Sequence, residues 1–171
     1  LIAYSTIENS EAQIDISFVL IDEYPKLSIG YEALAFSYLD VGDEANALKI
    51  LHQALNKFPD EITFPHTIAK IYFQSKNYSH AEEYFLAALE INAHMSSIQH
   101  SLAIMFEEML DTDRSDSLFK KMIIQNENDA VGLNDYAYII AERTNSSMIE
   151  LNYAKELAER ALAIEPDNAA F

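Results

Sequence analysis

Apolar residues along this chain fall into short stripes of helical period separated by polar breaks. Tyr31, Leu34, Ala35 and Tyr38 form one stripe, Gly42 and Asp43 a break, and Ala47, Ile50, Leu51, Ala54 and Leu55 a second stripe. Steps of three and four place each set on one face of a helix, so the pair predicts a helical hairpin. Gly42 is placed to take the left-handed conformation that ends the first helix, and Asp43 to cap the free amides of the second. Pro59 stops the second helix just past Phe58, and Pro166 does the same near the end of the chain. Small residues at Ala35, Ala69, Ala103 and Ala137 let partner helices sit close. The bulky Tyr38, Tyr72, Phe106, Leu51, Phe85 and Phe119 fill the space between neighbouring pairs.

The hairpin recurs. Residues 28–61 align without a gap over 62–95: Leu34 over Ile68, Ala35 over Ala69, Tyr38 over Tyr72, Ala47 over Ala81, Leu51 over Phe85 and Ala54 over Ala88. A third copy at 96–129 keeps Leu102, Ala103, Phe106, Phe119 and Met122 in register, with Ser115 and Asp116 in place of the alanine and its acidic neighbour. A fourth, 130–168, opens with Tyr136, Ala137 and Ile140, carries about five extra residues around 145–149, and resumes at Ala154, Ala158, Ala161 and Pro166. Residues 1–27 read as a partial copy, with the tail of a first helix at 1–6 and a second helix at 11–24. Residues 169–171 read as the start of another copy, so the 171 residues are expected to be one continuous array within a longer repeat protein. The last helix, expected at 151–164, has no following partner to cover Leu157, Ala158 or Ala161. Self-association through the ends of the array is therefore expected.

The best copy, Tyr31, Leu34, Ala35, Tyr38, Ala47, Leu51, Ala54 and Pro59, resembles the tetratricopeptide repeat family. The opening aromatic gives way to Pro65, Gln99 and Leu133 in later copies, so packing there differs. The resemblance implies an all-α fold, an α-solenoid of stacked antiparallel helix hairpins wound into a right-handed superhelix. It also implies that the first helix of each pair lines a concave face. The fourth copy, with Leu133, Asn134, Tyr136, Ala137, Tyr138, Ile140 and the closing Glu165-Pro166-Asp167-Asn168, is similar to a variant frequent in bacterial cell-envelope repeat proteins. This implies a bacterial source and leaves cytoplasm and periplasm or cell envelope both open.

Composition narrows the function. Half the residues are hydrophobic, and Gly (3) and Pro (4) are too few for a loop-rich chain. No cysteine is present, which removes disulfides, thiol catalysis and thiolate metal sites. The apolar runs, such as residues 16–21, are too short to span a bilayer, so no direct membrane insertion is expected. Eleven basic residues against 28 acidic ones give a net charge of −17. That disfavours nucleic acid, whose binding needs a basic stripe to displace counterions, and anionic membranes for the same reason. The acids are spread along the chain; they serve as a solvated surface or as steering for a neutral or basic protein partner.

Helical spacing on the first helices gives the groove candidates. These are Glu32, Phe36, Leu39 and Asp40; His66, Lys70, Phe73 and Gln74; His100, Ile104, Glu107 and Glu108; and Asn134, Asp135, Tyr138 and Glu142. Together they suggest an aromatic and aliphatic floor edged by acids, suited to a peptide or helix with apolar anchors. Each aromatic has a second reading, packing between adjacent first helices. Some repeats of this family grip a terminal carboxylate with cations. Lys70 is the single cation of this set, and Glu32, Asp40, Glu107 and Glu108 would repel such a ligand.

His66 and His100 occupy equivalent places and could meet Glu32 or Glu108 around a metal, but the ligand set is not closed and neither metal nor cofactor is expected. A weak pH response of binding is the expected role of the two histidines. Asn77-Tyr78-Ser79 and Asn145-Ser146-Ser147 match the short glycosylation pattern, and Asn77 is placed to cap the following helix. No phosphate loop, H-E-x-x-H or G-x-S-x-G motif occurs, so no catalysis is expected. The sequence thus points to a protein-interaction scaffold binding a peptide or helix of a partner in its concave groove. Two alternatives are a peptide-sensing regulator and an accessory repeat array of a larger enzyme.

Overall fold

The structure, a computed structural model, describes residues 2–168, with side chains from residue 11 onward. Among these residues it contains nine α-helices and no strand: α1 (Ile2–Glu23), α2 (Ile29–Asp40), α3 (Glu44–Lys57), α4 (Thr63–Gln74), α5 (Tyr78–Ile91), α6 (Ser96–Glu108), α7 (Thr112–Gln125), α8 (Ala130–Glu142) and α9 (Met148–Ile164). The helices α2 to α9 form pairs whose members fall in the two halves of each repeat. Contacts gather into two compact units, residues 1–98 and 99–171, with the boundary inside α6. The chain is all-α.

Two helix boundaries differ from the sequence expectation. Residues 1–6 and 11–24 were expected to be separate, yet α1 runs unbroken from Ile2 to Glu23. No glycine or proline stands between them to stop a helix, unlike Gly42 further along. At the other end α9 begins at Met148, three residues before the expected start at residue 151. Ser147 caps it, accepting from the Glu150 amide while the Glu150 carboxylate accepts from the Ser147 amide at 2.7 Å. This is a capping box, and its Ser-x-x-Glu signature stands in the sequence.

The α2–α3, α4–α5 and α6–α7 breaks share one geometry. Gly42, Lys76 and Leu110, each 34 residues apart, adopt positive φ values of 76°, 58° and 61°. The amide that follows each one reaches back five residues, Asp43 to Tyr38, Asn77 to Tyr72 and Asp111 to Phe106, in the bonding pattern of a Schellman motif. Asp43 and Asp111 then cap α3 and α7 by accepting from the Asn46 and Arg114 amides. Asn77 stands at the equivalent place but makes no such bond. Its oxygen lies 2.9 Å from the His80 ring instead, which corrects the expectation that its side chain caps the helix.

Unit 1 packs α1 on α2, α2 on α3, α3 on α4 and α4 on α5. Gly30 permits the first of these approaches, since a Cβ there would sit 2.9 Å from the Ile21 backbone nitrogen. Its core joins Ala35, Leu51, Ala54, Phe64, Ile68 and Ile71. Phe85 and Ala69 are fully buried as well. Pro65 lies in the first turn of α4, where its missing amide costs no helix bond. Unit 2 packs α7 on α8 and α8 on α9 around Phe119, Leu133, Tyr136, Ile140 and Ala154. Leu157 and Ala161 belong to this core and are fully buried, because they face α8. That corrects the expectation that they lie uncovered; the exposed apolar surface of α9 is carried by Met148, Ile149 and Leu151 near its start and by Leu162 and Ile164 near its end.

Candidate functional site

Within unit 1 the first helices α2 and α4 enclose an open cleft of about 490 Å³. Five groove candidates line it: Phe36 and Leu39 from α2, and His66, Lys70 and Gln74 from α4. Spacing of three or four residues puts them on one side of each helix. Thr63 and Thr67 add hydroxyls, and Met95 and Ile98 add apolar wall; the sequence reading missed these four. Thr63 and Thr67 lie three residues and one residue from His66 and were legible as neighbours on the same helix. Met95 and Ile98 precede the candidates of the third copy and carry no signal of their own.

The electrostatics of this cleft differ from the acid-edged groove expected. Its full charges are Lys70 and Glu44. His66, half-buried beside the Phe85 ring at 6.2 Å, is held below its ordinary value by burial and then by the positive Lys70. It is therefore neutral at pH 7. The acids chosen from this part of the sequence lie elsewhere. Glu32 accepts a 3.3 Å bond from the Ser28 hydroxyl at the start of α2, and Asp40 lines a separate cleft of about 350 Å³ between α1 and α2. Phe36 borders both clefts and is 45% exposed. Phe73 does not line the cleft. Its ring packs against Tyr78 and Phe85, at 6.2 and 6.4 Å.

Unit 2 brings its candidates together differently. His100 Nε2 approaches Asp135 Oδ2 to 2.8 Å, out of line for a hydrogen bond, and the His100 ring stands edge-on to Phe119. Ile104 packs against the core, and Glu108 is exposed. Asn134 borders a shallow cleft of about 320 Å³ between α8 and α9. Glu107, Tyr138 and Glu142 line a pocket of about 510 Å³ together with Leu110 and the α8–α9 turn.

Arg143, at the end of α8, organises this region. Its guanidinium donates to both Glu107 oxygens, at 2.9 and 2.7 Å, and to Asp116 at 2.8 Å. Asp116 also receives the Tyr136 hydroxyl. Burial, and then the Asp116 carboxylate, push that phenol far above its ordinary value. Glu107 and then Asp116, by hydrogen bonding, hold Arg143 charged at any accessible pH. Glu107 is thus a fixed partner of Arg143. Among the described residues no group of three or more His, Asp or Glu is placed to hold a metal ion, and no helix is long and apolar enough to cross a membrane.

No family model matches the chain, and no curated protein matches it. Solved structures do. MamA is 14% identical with a TM-score of 0.73, over 92% of this chain and 90% of that one. YrrB, described as a TPR protein with an unusual peptide-binding site, is 15% identical with a TM-score of 0.68, over 96% of this chain and 82% of that one. A chain of the APC/C hetero-tetramer Cut9–Hcn1 is 13% identical with a TM-score of 0.72, over 92% of this chain and 29% of that longer one. Repeats of 34 residues, hairpins closed by left-handed turns, and these likenesses agree that the chain has the α-solenoid fold of tetratricopeptide repeat proteins.

Proposed function

We propose that this chain is a protein-interaction scaffold whose copies act as one array and whose first helices receive a peptide or helix of a partner protein. The observation that carries this reading is the unit 1 cleft, in which Phe36, Leu39, His66, Lys70 and Gln74 meet around about 490 Å³. A pocket of that size, largely apolar with a few placed polar groups, suits one or two side chains of a peptide ligand. With His66 neutral and one acid and one lysine in its lining, the cleft selects apolar anchors. The charge of −17 acts at longer range, favouring approach of neutral or basic partners. The similarity to YrrB, described with a peptide-binding site, is in line with a peptide ligand.

Selection of peptides from a displayed random library tests the reading. Selected peptides should carry apolar anchors. Phe36→Ala should weaken them roughly 10-fold, about 1.4 kcal/mol, with an unchanged melting temperature, since Phe36 stands outside the core. Unchanged affinity for Phe36→Ala and for Leu39→Ala would remove the cleft from consideration. A second reading, self-association, is favoured by the α8–α9 cleft, whose lining of Ala137, Tyr138, Leu151, Ala154 and Ala158 is mostly apolar. Sedimentation equilibrium showing only monomer at millimolar concentration would dismiss it.

A further inference from the structure

We infer that the longer turn of the fourth repeat builds a pocket for a basic side chain, arginine or lysine, of a protein partner. This rests on reading the first-helix faces as ligand surfaces and assigns a chemistry to one place on them. The pocket lies within unit 2, where the α6–α7 turn and the α8–α9 turn flank the end of α8. Two large apolar side chains stand open beside it, Leu110 at 86% exposure and Tyr138 at 64%. Leu110 also holds a left-handed backbone, φ 61°, at the register position where the first repeat has Gly42. That conformation disfavours any residue with a Cβ. A strained turn that displays a bare leucine gives the folded unit nothing; a partner that covers the leucine gains apolar contact.

Charge selects the occupant. Arg143 offers no free positive charge, because Glu107 and Asp116 both hold it. Lys120 reaches Asp116 at 3.5 Å and is spent there. Glu150 lines the pocket while accepting from the Ser147 amide and hydroxyl, which leaves its charge in place. Glu142 lines the pocket with no hydrogen bond or ion pair among the described residues. Four carboxylates therefore surround two cations, and the surplus is negative. An anionic ligand would be repelled, and a purely apolar one would bury Glu142 without a partner. A guanidinium or ammonium group answers Glu142, its stem lies along Leu110, and the Tyr138 ring offers a face to the cation.

The test uses two capped tripeptides, leucyl-arginyl-leucine and its glutamine counterpart, titrated into the full chain and followed by amide shifts. The arginine peptide should shift Leu110, Tyr138 and Thr144 and bind about 5-fold tighter than the glutamine peptide. Glu142→Gln should cut that preference about 3-fold, as should Tyr138→Ala. Leu110→Gly gives a control of opposite sign: it should raise thermal stability, by relieving the turn, while weakening the arginine peptide. Equal binding of the two peptides overturns the inference. So do shifts confined to Phe36 and Thr67, which would leave the unit 1 reading standing. Shifts at Leu110 with none at Phe36 would support the inference and count against unit 1.

Discussion

The α4–α5 hairpin of unit 1 and the α8–α9 hairpin of unit 2 derive from the same repeat and are held by different forces. In the first, position 73 is a phenylalanine, and its ring lies 6.4 Å from the buried Phe85. Tyr72 stacks on Tyr84 nearby. In the second, the same position of the preceding copy is Glu107, and it takes the Arg143 guanidinium. The register of Arg143 holds Val41, Ser75 and Met109 in the earlier copies. Contacts between rings tolerate shifts of geometry, whereas a fork of guanidinium bonds to two carboxylates fixes the end of α8 against α6 and α7. The polar version frees the turn after α8 to lengthen, because Arg143 and the 2.5 Å bond from the Ser146 hydroxyl to the Ile140 carbonyl anchor it.

The sharpest break of this comparison is Phe85→Ala. It should cost about 3–5 kcal/mol through the cavity it leaves, read as a fall in the urea midpoint by circular dichroism. The matching break in unit 2 is Arg143→Met, which strands Glu107 and Asp116 in a half-buried place. About 2–3 kcal/mol should be lost, and Arg143→Lys should recover less than half, lacking the two-pronged geometry. A cost below about 0.5 kcal/mol would mean that the network behaves as an ordinary surface bridge.

Two changes should stabilise. The Ser115 hydroxyl is buried without a hydrogen-bond partner where the other repeats place alanine. Ser115→Ala should therefore add about 1 kcal/mol, and a loss instead would show a partner for that hydroxyl. At the turns, Gly42→Ala meets no atom within 4 Å, so its cost of about 1 kcal/mol is purely that of backbone conformation. Leu110→Gly should gain a similar amount. Thermal melts giving both changes the same sign would contradict the shared left-handed geometry.

The smallest effect is that of pH on unit 1. Burial and Lys70 hold His66 below its ordinary value of 6.5, so the unfolded chain binds more protons between the two values. Stability should be complete above about pH 6.5 and decline as pH falls toward the folded value. His66→Gln should flatten that part of the curve, measured as the difference in urea midpoint between variant and parent.

Much of the helical plan was legible because it is local. Gly42, Asp43 and Pro59 announce their boundaries by chemistry that acts within a few residues. Ser147 and Glu150 announced theirs too, although the extra residues of the fourth repeat drew the expected start to residue 151. Lys76 and Leu110 carry no glycine to mark their turns, and only the 34-residue register with Gly42 points to positive φ at both. The site was less legible. Helical spacing selected Phe36, Leu39, His66, Lys70 and Gln74, which meet in one cleft, but it could not separate Phe73, whose ring turns to Phe85. Nor could it see that Glu107 is held by Arg143, 36 residues away.

By itself the sequence determined which residues form helices, where most helices stop, and that one hairpin recurs, since periodicity, capping and backbone freedom act through neighbours along the chain. Tertiary structure decided which charges remain available. Glu107 is neutralised, Glu142 is not, and His66 is held below its ordinary value, because solvation and ion pairing depend on what lies across space. It also decided that Leu157 and Ala161 are core residues, since α8 covers the face that the sequence alone left open.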